Sequence, residues 1–189
     1  DLIQPFFMFI VGVAMPFSFA KRTERGDSYG LLRSHAIKRS FLLLLLGWAL
    51  YCIGPGKIEF RFQNVLAQLS VTYFITFLLI RQKVSVQLIV SFGLLILAEV
   101  IYRTFSVEGF NHPFVPNENF GTWLDLQYGG EDLSGHWVSF NAIPTTAHTI
   151  WGAMAGMLLM SDKPAAKKIK ILLFAGVAAV VVCYSLDPI

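Results

Sequence analysis

Asp1 heads a stretch, residues 2–20, that carries no other charge, and Lys21 and Arg22 close it. A carboxylate at a helix mouth is favoured by the helix dipole and can cap free N–H groups; a functional role is equally open. Farther on, "FNAIPTTAHTIWGAMAGMLL" sets Asn141, Thr145, His148 and Gly152 at i, i+4, i+7 and i+11, one face of a helix. Two readings stand. The face is a tight packing surface, with Gly152 and Gly156 forming a G-x-x-x-G pair around a hydrogen-bonded histidine. Or it is the polar wall of a substrate path, with His148 as a proton carrier. Pro144 removes a backbone hydrogen bond near the start of this face, where a neighbour is expected to compensate. In "FQNVLAQLSVTYF", Gln68 follows Asn64 by one turn and Thr72 follows Gln68 by another. This second stripe can bond helix to helix or line the same path.

The other charged chemistry is basic. "KRTERGDSYGLLRSHAIKRS", residues 21–40, holds six Lys and Arg against two acids. Such a segment fixes topology or touches anionic lipid. Beside a helix bundle, Arg33, Lys38 and Arg39 could also hold a phosphorylated cofactor, because guanidinium and ammonium groups pair strongly with phosphate. There is no G-x-x-x-x-G-K-[ST], G-x-G-x-x-G, G-x-S-x-G, H-E-x-x-H or C-x-x-C. ATPase, dehydrogenase, common hydrolase and zinc readings have no support, and no metal site is expected. Cys52 and Cys183 lack metal-ligand spacing and are expected as two inert thiols rather than a disulfide. No basic domain is present to bind nucleic acid.

The elements that must position these groups are membrane helices. The chain is 55% apolar and 14% charged, with a mean hydropathy of +0.60, against about 25% charged in a soluble domain. The apolar residues gather into runs approaching bilayer length. We expect an all-α polytopic transmembrane bundle of about six spans: 3–20, 40–54, 64–80, 86–102, 141–160 and 169–186. The alternating ten-residue strands of a barrel are not seen. Loops 21–39, 81–85 and 161–168, with Lys170 just beyond, then share one side and hold twelve of the fifteen Lys and Arg. Positive residues stay inside, so those loops are expected to be cytoplasmic. Asp1 and the long loop 103–140, with Glu108, Glu118, Asp125, Glu131 and Asp132, are expected to face outward. A loop of that length commonly has a function of its own. The chain starts at a helix mouth and stops after an outward-going span, so residues 1–189 read as a single domain truncated at both ends. Physics alone stops at a polytopic membrane domain with a polar path opening outward.

Several segments, in order, resemble the heparan-alpha-glucosaminide N-acetyltransferase family and its bacterial relatives. "DLIQPFFMFIVGVAMPFSF" resembles its D-L-[VI]-x-P-[FW]-F-x-F-I-x-G segment, "KRSFLLLLLG" its R-S-F-L-L element, and "NVLAQLSVTYF" its V-L-Q-R-L-x-V-T-Y-F element. "NFGTWLDLQYGG" is similar to its N-L-x-x-x-[IL]-D segment, and "SFNAIPTTAHTIWGAMAGMLL" to its T-I-x-A-I-x-x-x-x-x-G-x-x-A-G. The resemblance implies acetyl transfer across a membrane, from cytosolic acetyl-CoA to a glucosamine amine on the far side. Asp1 matches the motif's Asp. The family's catalytic His would precede it, so Asp1 would orient that imidazole, and the 189-residue chain alone would be inactive. Arg39 matches the family's Arg and, with Lys38 and Arg33, would receive the CoA phosphates. Asn64, Gln68, Asn141 and Thr145 would line the path, and His148 is a second candidate catalytic group. The chain departs from the pattern at Ala67 and Gln68, where the family has Q-R. The acceptor expected is therefore a cell-wall or glycan amino sugar, met at a bacterial inner membrane. A homo-oligomer stays open. Two other classes also fit the residues: a transporter or flippase for a sugar or amphiphile, and a structural membrane module without chemistry.

Overall fold

The computed structural model describes residues 3–53, 58, 61–128 and 137–186. Asp1, residues 54–56, and Glu131, Asp132 and His136 lie outside the described residues. Among the described residues there are seven α-helices and no strand. They are α1 (Ile3–Glu24), α2 (Tyr29–Ile53), α3 (Val65–Leu79), α4 (Val84–Thr104), α5 (Phe120–Gln127), α6 (Ala142–Met160) and α7 (Ala165–Leu186), with a 3-10 turn, Ser139–Asn141, leading into α6. By length and composition α1, α2 and α4 are able to cross a membrane, and α3 is a shorter apolar helix. The protein is an all-α membrane bundle.

Its polarity is that of a bundle in lipid. The fully buried side chains include Gln68, Gln87, Ser91, Thr72, Thr76, Thr146 and Thr149, while Phe6, Ile10, Leu46, Ile89, Phe92 and Phe174 point outward. Lipid tails leave little hydrophobic gain between helices, so small residues and hydrogen bonds hold the interface together. α6 lies at the centre, against α1, α3 and α4. Its contact with α1 is backbone on backbone. A Cβ on Gly12 would strike the Thr149 carbonyl oxygen, one on Gly152 that of Phe9, and one on Gly156 that of Val13. The G-x-x-x-G pair of α6 is thus a packing face. α2 approaches α3 in the same way, since a Cβ on Gly47 would lie 2.7 Å from the Asn64 side-chain oxygen.

Two elements differ from the sequence expectation. α2 begins at Tyr29 rather than near residue 40. Leu32 and Ala36 bury one face of its first turns against Met15, Tyr73 and Phe77, so the basic segment continues as helix. The turn before it is only Arg25–Ser28, where Gly26 takes φ +89. Arg33, Lys38 and Arg39 therefore sit on a rigid helix and not on a loop. The second difference is α5, inside the long loop. Asn119 caps it by accepting from the Thr122 N–H at 3.1 Å. Phe120 and Trp123 carry it into an aromatic cluster with Phe105 and Phe140, at centroid distances of 4.9–6.1 Å. Pro144 falls in the first turn of α6, where its missing N–H has no helical partner to lose, so nothing has to compensate. Cys183 is a free, exposed thiol.

Candidate functional site

At the end of the bundle where α1, α3 and α6 begin, five polar side chains form a continuous network. Gln4 of α1 donates its amide to the side-chain oxygen of Gln68 in α3. Gln68 donates in turn to the backbone carbonyls of Gln63, at 3.2 Å, and Val138, at 3.5 Å. The Gln63 amide donates to Asp125 Oδ2 at 3.1 Å. Asp125 also accepts from the Ser139 hydroxyl and from its backbone N–H, at 3.1 Å to Oδ2. Gln4, Gln68 and the carboxylate are buried, with Gln68 at 0% and Asp125 at 8% exposure, while Gln63 is half-buried. A polar group buried without partners is costly, so this network ties α5, the 3-10 turn, α3 and α1 into one unit.

From Gln68 the polar line descends α3. Thr72 donates to Met8 Sδ at 3.5 Å and to the Leu69 carbonyl at 3.3 Å. One turn below, the Thr76 hydroxyl is buried and has no hydrogen-bond partner among the described residues; Thr149 Oγ1 in α6 is in the same condition. The register of α1 on α3 is set by Gln4 against Gln68 and Met8 against Thr72. Continuing it by one turn places Gly12 level with Thr76. The line thus runs along the junction of α1, α3 and α6.

The basic helix meets the same α3 from the other end. The Arg39 guanidinium lies 4.8 Å from the centroid of the Tyr73 ring, a cation–π contact. Arg81 stacks on Tyr29 at the same distance. His35, Lys38 and Arg39 open onto a surface groove of about 350 Å³ that continues along Leu42, Leu43 and Leu46. This groove pairs cationic heads with an apolar floor. Tyr73 and Gln68 are five residues apart on one helix, about 7–8 Å of axial rise. Arg39 thus contacts α3 a little over one helical turn from the residue at the hub of the polar network.

The expected site residues are only partly drawn together. Gln68 is the hub. Asn64 is fully engaged: its oxygen caps α3 by accepting from Ala67 N–H at 2.9 Å, and its amide donates to the Gly47 carbonyl at 2.7 Å. That arrangement holds α2 to α3. Lys38 and Arg39 share the groove, whereas Arg33 is exposed and does not line it. Asn141 ends the 3-10 turn without a side-chain capping bond, and Thr145 is half-buried one turn on. His148 packs beside Trp151, which reaches α4. Its ring meets Trp151 edge-on at 5.8 Å, and Trp151 donates to Ser91 Oγ at 2.9 Å. His148 Nδ1 is buried without a hydrogen-bond partner among the described residues. Asp1 lies outside them. Four groups of the network, Gln4, Gln63, Asp125 and Ser139, were not picked out by spacing. A signal exists for Asp125, which stands between Leu124 and Leu126 in an aromatic-rich segment behind a capping Asn. An acid so flanked is poorly suited to a solvated loop.

Over 80 residues the chain is 38% identical to heparan-alpha-glucosaminide N-acetyltransferase of Mus musculus and to the protein of the same name from Homo sapiens. The match takes in 40% of this chain and 12% of each relative, so the chain corresponds to about an eighth of the length of the curated relatives it matches. No protein-family model matches the chain. The chain is thus similar, over part of its length, to the membrane N-acetyltransferases that its motifs resemble.

Proposed function

We propose that this chain is part of an integral membrane acetyltransferase, which passes an acetyl group from cytosolic acetyl-CoA to an amino sugar on the opposite face. The observation that carries the reading is the 38% identity over 80 residues to the two N-acetyltransferases. The geometry is compatible with it. Lys38 and Arg39 would hold the CoA phosphates at the head of the α2 groove, with Arg33 adding to the local positive field. The thioester arm would enter beside Tyr73, and the short rise from Tyr73 to Gln68 is the barrier it has to cover. Asn64, Gln68, Asn141 and Thr145 belong to the wall of that path. In this role Asn64 acts by keeping α2 and α3 together, because both its side-chain atoms are already bonded.

The reaction needs a free amine. A positioned base near neutral pKa removes a proton from the acceptor ammonium; the nitrogen attacks the thioester carbonyl, the C–N bond forms and the C–S bond breaks. We assign Asp1 to orienting the imidazole that does this, and His148 to a secondary proton-carrying position. We assign the 21–39, 81–85 and 161–170 segments to the cytoplasmic side of a bacterial inner membrane; their twelve Lys and Arg support this orientation. Asp1 and the 103–140 loop then meet the periplasm and a glycan acceptor.

The test is direct. The intact protein that contains this chain is purified in detergent and given acetyl-CoA labelled in the acetyl group together with glucosamine. The expected product is labelled N-acetylglucosamine with release of free CoA. Absence of product, and of CoA affinity at millimolar concentration, would remove the reading.

A further inference from the structure

Asp125 has a place in the fold that a loop carboxylate does not need. It lies on α5, is 8% exposed, and stands at the head of the polar line that runs through Gln63, Gln68 and Gln4. Among the described residues the groups that bond it are the Ser139 hydroxyl, the Ser139 N–H and the Gln63 amide. Each of these donors is neutral. A carboxylate that accepts from neutral donors gains when a cationic donor replaces one of them, since charge-assisted bonds are about twice as strong. An ammonium carries three N–H groups, and the Ser139 hydroxyl is a partner it could displace without disturbing the backbone.

We infer that Asp125 binds the ammonium group of the acceptor amino sugar; this rests on the acetyltransferase reading above. Asp125 then distinguishes substrate from product. The acceptor arrives as R–NH3+ and is held by the carboxylate. In the transfer the N–C bond forms and the C–S bond breaks. Of the two protons that nitrogen loses, one ends on the CoA sulfur and one in solvent. The product is a neutral amide, for which Asp125 has no charge attraction, so Ser139 returns to the carboxylate as the product leaves. The burial of Asp125 serves this role, because a screened surface carboxylate would separate the two states less well.

The experiment is calorimetric binding of glucosamine and of N-acetylglucosamine to the intact protein and to D125N, D125E and S139A. Glucosamine is expected to bind D125N about tenfold to a hundredfold more weakly than wild type, the worth of one hydrogen bond to a charged group. N-acetylglucosamine should bind both alike. D125E should recover part of the glucosamine affinity, and S139A, which removes the competing hydroxyl, should tighten it. Equal glucosamine binding by wild type and D125N would overturn the inference. So would parallel losses for both sugars in D125N and S139A, because those mark a latch that only holds α5 in place. Failure of the acetyltransferase reading is a separate result: wild type would bind glucosamine in an Asp125-dependent way and transfer nothing.

Discussion

Gln4 in α1 and Gln68 in α3 meet through their side-chain amides although 64 residues separate them in the chain. The bond places the start of α1 against the hub of the polar network. A buried amide pair of this kind fixes both the depth and the rotation of one helix against the other.

Replacing Gln68 with Leu strands the Gln4 amide and releases the Val138 and Gln63 carbonyls. We expect a loss of about 1 kcal/mol, between the average for interhelical bonds in membranes and the cost of an unmet buried donor. The Gln4→Leu, Gln68→Leu double variant should lose less than the sum of the singles. Thermal unfolding in detergent measures all three, and strict additivity would show that the pair is not coupled.

Gly12→Leu should be the most damaging substitution in α1, because even a Cβ there meets the Thr149 carbonyl and the backbone of Gly152 and Ala153. Overpacking costs about 1–3 kcal/mol, and more when the obstacle is backbone. Gly93→Ala in α4 is the control. Nothing lies within 4 Å of a Cβ at that position, and helix propensity should raise stability by up to about 1 kcal/mol. Equal unfolding midpoints for the two variants would contradict the backbone contact between α1 and α6.

Arg39→Ala should weaken CoA binding by the intact protein, on the order of tenfold for one charge-assisted phosphate contact. Arg39→Lys should restore only part of it, because an ammonium keeps the charge but not the planar stack on Tyr73. Tyr73→Phe keeps the ring and should leave CoA affinity unchanged. Titration calorimetry with CoA reads each case, and an Arg39→Ala protein with wild-type affinity would move the phosphate site elsewhere.

Asp1→Asn in the intact protein should abolish acetyl transfer while CoA affinity is kept. An amide preserves the shape of the carboxylate but cannot stabilise an imidazolium or enforce its tautomer. Rapid-quench transfer assays beside CoA titration separate the two effects. Undiminished turnover would return Asp1 to capping the helix.

Much of the bundle was legible because bilayer-length apolar runs and charged turns repeat along the chain. The Gly152–Gly156 pair announces close packing, and the structure has it; Asn64 reads as part of a polar stripe, and in the structure it caps α3 and bonds α2. The first turns of α2 were hidden because the burial of Leu32 and Ala36 depends on Met15, Tyr73 and Phe77, which are remote in sequence. α5 was hidden because its eight residues are too few to show periodicity and its support is the aromatic cluster around Phe105 and Phe140. Gln4 looked like an isolated polar residue in a greasy stretch, and only the register of α1 on α3 gives it a partner. His148 shares a helical face with Asn141 and Thr145, yet its ring packs on Trp151 beside α4. A periodicity argument sets the face, and the neighbouring helices decide what that face meets.

The central claim is that donor and acceptor approach opposite ends of one bundle. The intact protein is reconstituted in sealed vesicles in a single orientation, with labelled acetyl-CoA on the side of Arg39 and glucosamine on the side of Asp125. The account predicts labelled N-acetylglucosamine in the compartment that held glucosamine, and little product when the two substrates are exchanged between sides. Transfer that proceeds equally well with both substrates confined to one compartment would contradict it.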